Sequence, residues 1–278
     1  MIYTDLPIQN VEEDELNRAE FAKNLGCLIN NYKNEESLVL SLMGEWGSGK
    51  TSLINLTLNE LYENIIIKFD PWLFSEQKNL VLNFFNELTY GLKSAELEND
   101  SKLKDVIDNL RKILKFIKPD TFSVSINPLN TVNITAEYKN DNNEQSDESL
   151  EKFKNEINNN LKGLKQQKIV IVIDNIDRLN KLEIKEIFQL VKSLADFKNI
   201  IYILSFDKEI VLKSLDDYVS SPDIFLEKII QIPINIPETE DYRLQKYFEK
   251  ELKKLFQEKD VDLEDENFLT LINNLSFL

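Results

Sequence analysis

Residues Gly44-Glu45-Trp46-Gly47-Ser48-Gly49-Lys50-Thr51 fit the spacing G-x-x-x-x-G-K-[ST] in full. Every fixed position has a physical use if the segment wraps phosphate. Backbone N–H groups of the turn and of the helix that follows surround the anion, where the helix concentrates partial positive charge. Gly44, Gly47 and Gly49 permit backbone conformations and a close approach that a side chain would block. Lys50 reaches for the β and γ phosphates, and Thr51 offers a hydroxyl to magnesium. With Glu45, Trp46, Ser48 and Ser52 completing the segment, the expected ligands are ATP (or GTP) and Mg2+.

A second candidate group ends the run Lys168-Ile-Val-Ile-Val-Ile-Asp174. A continuously apolar run of this kind suits a parallel strand covered on both faces. A carboxylate at its C-terminal end lies on the ligand side of the sheet, beside a phosphate loop. Asp174 is therefore expected to hold magnesium with Thr51, directly or through water. Ser205 ends a later strand, where its hydroxyl either touches the γ phosphate or its water, or is an ordinary polar strand end. Asp207 reads as a helix cap. Trp46 and Trp72 pack either near the nucleotide or, the default for aromatic residues, in the core.

These groups need a sheet to hold them. Leu38–Met43 reads as a strand, and Thr51 onward as a helix with Leu53, Ile54, Leu56, Leu58 and Leu61 as core positions. Asn64–Asp70, stopped by Pro71, reads as a second strand; Leu80, Val81, Phe84, Phe85, Leu88 and Leu92 mark a helix. After Asp174 come a helix over Lys181–Phe197, a strand over Asn199–Ser205, a fifth strand over Ile229–Pro233, and a helix over Tyr242–Phe256. That last helix has Leu244, Tyr247, Phe248, Leu252 and Leu255 on its apolar face. Alternating strands and helices give an α/β fold: a mostly parallel five-stranded sheet with helices on both faces. The block 98–149 reads as an insertion between the second and third core strands. It contains a helical stretch, a hairpin (Phe122–Ile126 with Thr131–Thr135) and an acidic loop over Asn140–Ser149. The expected organisation is 1–97 first half of the core, 98–149 insertion, 150–237 second half, and 238–278 a small C-terminal helical part.

Composition excludes several alternatives. With no His, the chain has no imidazole base, no Ser-His or Cys-His pair and no His-containing zinc site. Cys27 is the single cysteine, so no internal disulfide forms, and between Leu25, Leu28 and Ile29 it reads as a small buried hydrophobe. Lys+Arg number 33 against 49 Asp+Glu, a net charge of -16 that repels nucleic-acid backbones and anionic lipid. No direct nucleic-acid signal follows. No signal peptide or transmembrane segment is apparent, so a cytoplasmic protein is expected.

Four segments together resemble the KAP family of P-loop NTPases: Gly44–Ser52, Ile67-Lys-Phe-Asp-Pro-Trp-Leu-Phe74, Val172-Ile-Asp-Asn-Ile-Asp-Arg-Leu179 and Leu226-Glu-Lys-Ile-Ile-Gln-Ile-Pro233. The resemblance covers most of 38–237 apart from the insertion. It implies an ATPase, of a family often bacterial, with an extra strand between the two phosphate-site strands, linked to phage exclusion or membrane-associated complexes. Where such proteins often insert membrane helices, this chain has the polar block 98–149. The resemblance also implies an acidic residue directly after Asp174 as the water-activating base, and this chain has Asn175 there. An amide cannot take the proton. Asn175 orients the water, or Asp177 or Asp70 supplies the carboxylate, or the domain binds nucleotide and hydrolyses little. Arg178 is expected to pair with Asp177 or to sense phosphate on a neighbouring subunit. A helical lid with an arginine would follow about Leu255, yet no Arg follows Arg243, so a longer chain or a partner would supply it. The catalytic set is thus Lys50, Asp174, Asn175 and Asp177. The expected activity is slow or partner-stimulated hydrolysis in a nucleotide-driven switch or assembly ATPase, with anti-phage defence as its setting and a homo-oligomer or partner protein as its target. The alternative is a nucleotide-binding regulatory or scaffold module.

Overall fold

The computed structural model describes residues 6–75, 79–95, 101–116, 122–126, 132–136, 146–162, 164 and 168–257. Chain order begins with α1 (Ala19–Asn30), β1 (Leu38–Met43), α2 (Lys50–Asn59), β2 (Ile65–Phe69) and α3 (Leu80–Ser94). Then come α4 (Ser101–Phe116), β3 (Phe122–Ile126), β4 (Val132–Ala136) and α5 (Ser146–Leu161). The rest is β5 (Ile169–Ile173), α6 (Lys181–Gln189), β6 (Ile200–Phe206), α7 (Lys208–Leu215), α8 (Pro222–Glu227), β7 (Ile232–Asn235) and α9 (Asp241–Gln257).

Every residue of β1, β5 and β6 is buried, which requires cover on both faces. The main sheet supplies the setting: its order is β2-β5-β6-β1-β7, and all its pairings are parallel. β6 therefore stands between β1 and β5, the extra strand between the two phosphate-site strands that the resemblance implied. Side-chain alternation sorts the core into two layers. Leu38, Leu40, Leu42, Val170, Val172, Ile201 and Ile203 pack with α1 and α2. Val39, Met43, Ile67, Phe69, Ile171, Ile173, Leu204 and Phe206 pack on the other face, with α3, α4, α6 and α7. By the same parity Asp70, Asp174 and Ser205 share the face of α2. Lys68, two residues before Asp70, confirms it by donating to Asn55 of α2 at 3.1 Å.

Several expectations are corrected. The fifth strand starts at Ile232; Ile229 and Ile230 are buried in the turn between α8 and β7. Part of the segment read as an acidic loop is helical, since α5 begins at Ser146; 140–145 lie outside the described residues. Cys27 is exposed, because α1 buries Ala22, Leu25, Gly26 and Ile29 and turns 27 and 28 outward. Trp46 and Trp72 are also exposed, at 80% and 48%. The expected apolar face of α9 is present, but Leu244, Tyr247 and Phe248 on it are exposed. β3 and β4 do pair as an antiparallel ladder. Residues 258–278 of the expected C-terminal helical part lie outside the described residues. Among the described residues, no helix is long and apolar enough to cross a membrane.

Candidate functional site

The loop leaves β1 with Gly44 N–H donating to Phe206 O of β6 at 3.3 Å, and turns tightly as Ser48 N–H donates to Glu45 O at 3.1 Å. Gly47 and Gly49 both have φ +83, a left-handed conformation that costs glycine nothing and other residues strain. Gly49 is the N-cap of α2 and offers no side-chain acceptor to the first helical N–H groups. Those donors suit an anion. Glu45, Trp46 and Gly47 form the exposed tip, while Lys50 is buried at 8%. Lys50 Nζ donates to Gly44 O at 2.8 Å and Glu45 O at 3.1 Å, and Asp177 lies 3.4 Å away as its counterion.

Asp70, Asp174 and Ser205 fall in one row across the sheet, each one residue beyond the register Phe69↔Ile173↔Leu204. Thr51 Oγ1 donates to Asp174 Oδ2 at 2.7 Å, joining the start of α2 to the end of β5. The other Asp174 oxygen accepts the Asn175 N–H at 2.9 Å. Asn175 has φ 60, a left-handed conformation that asparagine tolerates better than most residues. From there its side-chain amide donates to Asp70 Oδ2 at 2.8 Å. Asp70 Oδ1 accepts from Trp72 N–H at 3.0 Å and so caps the short turn Pro71–Phe74. Burial pushes the Asp70 carboxyl above its ordinary value and Asp174 adds to the push; the hydrogen bonds from Asn175 and Trp72 and the charge of Arg178 oppose it. Asp177 accepts the Asp207 N–H at 3.2 Å besides facing Lys50. The expected Asp177–Arg178 pair is thus replaced by Lys50–Asp177, and the Arg178 guanidinium stacks 4.8 Å from the Trp72 ring centre. Asp207 caps α7 as read, accepting from Glu209 and Ile210 N–H.

The model of the KAP family P-loop domain matches residues 18–274. The chain belongs to the KAP family. A curated relative, the phage T7 exclusion protein of Escherichia coli strain K12, is 25% identical over 278 residues, covering 91% of this chain and 37% of that protein. The chain therefore spans well under half the length of this relative. Solved structures similar to this KAP domain include the Aeropyrum pernix ORC2 protein in its ADPNP-ADP complexes (10% identity, TM-score 0.43, 84% of this chain and 51% of that one). Another is Cdc6p from Pyrobaculum aerophilum, at 11% identity and TM-score 0.44, covering 91% of this chain and 52% of that one.

The KAP site fits the ligands its loop implies. Ser48 Oγ and Ser205 Oγ are buried, with no hydrogen-bond partner among the described residues. Buried polar atoms of this kind are rare without a reason. Thr51 and Asp174 present hard oxygen ligands of the kind magnesium takes. No group of three or more His, Cys, Asp or Glu able to hold a metal occurs among the described residues. Two protein oxygens suit Mg2+, which commonly keeps waters and takes substrate phosphates as its other ligands.

Sequence reasoning missed Arg18, buried at 9% exposure. Its guanidinium donates to the backbone carbonyl of Ser48, to Thr239 Oγ1 at 2.9 Å and to Pro237 O at 3.4 Å. Arg18 thereby ties the KAP phosphate loop to the segment between β7 and α9. The preceding segment lies along α2: Ile8 N–H donates to Ser52 Oγ, and Asn55 and Asn59 donate to the Ile8 and Gln9 carbonyls. Local sequence carried no signal for this, because the partners lie far apart along the chain.

Proposed function

We propose that this KAP domain binds ATP or GTP with Mg2+ and hydrolyses the bond between the β and γ phosphates, slowly alone and faster when a partner protein or second copy engages it. The observation that carries this reading is the Thr51–Asp174 hydrogen bond, which sets two magnesium-type ligands together beside the loop. Bound Mg2+ supplies charge neutralisation at the β and γ oxygens. Lys50 exchanges its loop carbonyls for those oxygens, and Asp177 keeps the ammonium aimed at them. The first N–H groups of α2 and the loop N–H groups orient the phosphate chain. Ser205, next to the last residue of β6 between β1 and β5, gives its hydroxyl to the γ phosphate or the attacking water. Nucleotide occupancy then biases an assembly, provided the two states of that assembly bind nucleotide differently. The name of the T7 exclusion relative supports phage exclusion as the setting.

Asn175 favours a second reading, a nucleotide-binding regulatory module with little turnover, since its amide cannot accept a proton. Phosphate release from ATP and Mg2+ tests the choice. Wild-type protein is expected to exceed Lys50→Ala clearly; equal rates with a nucleotide-dependent thermal shift in wild type alone leave the regulatory module standing. A ligand at about a hundredfold excess over its Kd should stabilise by roughly 2.7 kcal/mol, and no shift with any nucleotide would sink both readings.

A further inference from the structure

Asn175 stands where the family resemblance calls for an acid, yet its amide does not face an open site. It donates to Asp70 Oδ2 at 2.8 Å, so a carboxylate from the end of β2 stands directly against the position that lacks one. The other nearby carboxylates are engaged. Asp174 accepts from Thr51 and from its neighbour's N–H, and Asp177 faces Lys50 and accepts the Asp207 N–H. Each Asp70 oxygen accepts one hydrogen bond, from Asn175 or from Trp72, which leaves each a second lone pair. Asp70 also shares the face of α2 with Asp174 and Ser205, one strand beyond Asp174 in the sheet.

We infer that Asp70 is the catalytic base of this domain and that Asn175 is its positioning residue, the two having divided between β2 and β5 a task that a single acid after Asp174 would perform. The inference rests on the nucleotide-hydrolysis reading. In the step assigned, the water oxygen forms a bond to the γ phosphorus. The bond from that phosphorus to the bridging oxygen breaks, and its electron pair leaves with the nucleoside diphosphate. One water proton moves to Asp70 and the other stays on the new phosphate oxygen; Asp70 then returns its proton to the released phosphate. The elevation of the Asp70 carboxyl by burial agrees with a group suited to accept that proton.

The test pairs single-turnover ATP cleavage with calorimetric binding of a non-hydrolysable ATP analogue. Asp70→Asn is isosteric and keeps an oxygen for the Trp72 N–H. It is expected to slow cleavage by about 100-fold or more while the analogue Kd stays within about threefold. The exchange variant Asp70→Asn/Asn175→Asp restores the amide–carboxylate pair in mirror image, and is expected to recover cleavage to within about tenfold of wild type. Asp70→Ala with added formate, a small carboxylate able to occupy the space, is expected to regain part of the rate. Cleavage by Asp70→Asn within about threefold of wild type overturns the assignment, as does loss of analogue affinity by about tenfold or more. So does an inactive exchange variant that binds the analogue, if formate also fails to revive Asp70→Ala. These results sink only the base. Wild-type protein that fails to bind the analogue, or cleaves no faster than Lys50→Ala, sinks the hydrolysis reading together with it.

Discussion

Replacing Arg18 by alanine should unfasten the phosphate loop from the segment before α9. Arg18 donates to the Ser48 carbonyl, to Thr239 Oγ1 and, over a longer distance, to Pro237 O. Burial holds the guanidinium below its ordinary pKa, with Asp14 pulling the other way, so these contacts retain a charge that otherwise favours water. Hydrogen bonds to charged groups contribute a net of about 1.5–3 kcal/mol each, and water reaches part of the freed surface, so the total loss is about 2–4 kcal/mol. For a chain of this size that lowers the melting temperature by about 5–15 °C. Arg18→Lys keeps a charge but reaches fewer acceptors at once and should recover about half of the loss. Gly49 adjoins the same contact, since a Cβ built there would lie 2.6 Å from an Arg18 guanidinium nitrogen. The loop without its clamp should therefore bind nucleotide more weakly. Thermal unfolding of wild type, Arg18→Ala and Arg18→Lys, each with and without ATP and Mg2+, reads both effects. An Arg18→Ala protein that melts within about 1 °C of wild type and shows the same nucleotide shift would refute the clamp.

Other variants test the frame around the site. Gly91 packs α3 on β2, and a Cβ there would lie 2.8 Å from Ile67 Cγ1 and 3.2 Å from Cγ2. Gly91→Ala should destabilise by about 1–2 kcal/mol despite better helix propensity, and Ile67→Ala in the same chain should cancel part of that cost, as read by urea midpoints. Asn180 and Glu183 form a reciprocal capping box at the start of α6. Asn180→Ala should cost about 1 kcal/mol in the same assay. Because the folded state raises the Asp70 carboxyl above its ordinary 3.8, it keeps that proton to higher pH than the unfolded chain, and stability falls as pH climbs through that interval. Asp70→Asn removes this penalty: it should be more stable than wild type near pH 7 and lose that advantage as pH drops through the folded-state value toward 3.8. An advantage unchanged down to acid pH would contradict the sign.

The phosphate loop, Asp174 and the parallel order of the core were legible because each leaves a local mark: fixed glycines before Lys50, and apolar runs with no polar interruption in β1, β5 and β6 apart from two serines. Boundaries were less so. The apolar run Ile229–Pro233 offers no local sign that Ile229 and Ile230 are buried by a turn rather than a strand. α5 carries Phe153, Ile157 and Leu161 at helical spacing, but the runs of Asn and acidic residues around them obscure it. The Asp70–Asn175 pair was within reach only as separate strand ends; their hydrogen bond depends on β2 lying beside β5, which spacing does not state. Arg18 was beyond reach, since one arginine before a helix looks solvated until Pro237 and Thr239 arrive beside it.

The strand order has a consequence for synthesis. β1 and β2 are the first core strands made, yet neither pairs with the other: β2 lies against β5, and β1 against β6 and β7. β6 does not begin until Ile200, so the apolar segment Leu-Val-Leu-Ser-Leu-Met waits on the ribosome with both edges open. At cellular elongation rates that interval is roughly 10–30 s, ample time for a sticky strand to meet the wrong neighbour. Polypeptides cut between Thr51 and Ile200 keep the entire phosphate loop and lack β6, whose Phe206 carbonyl accepts the Gly44 N–H. Nascent chains of this domain should therefore depend on chaperones until late in translation, and nucleotide should begin to protect them only after Phe206 has emerged.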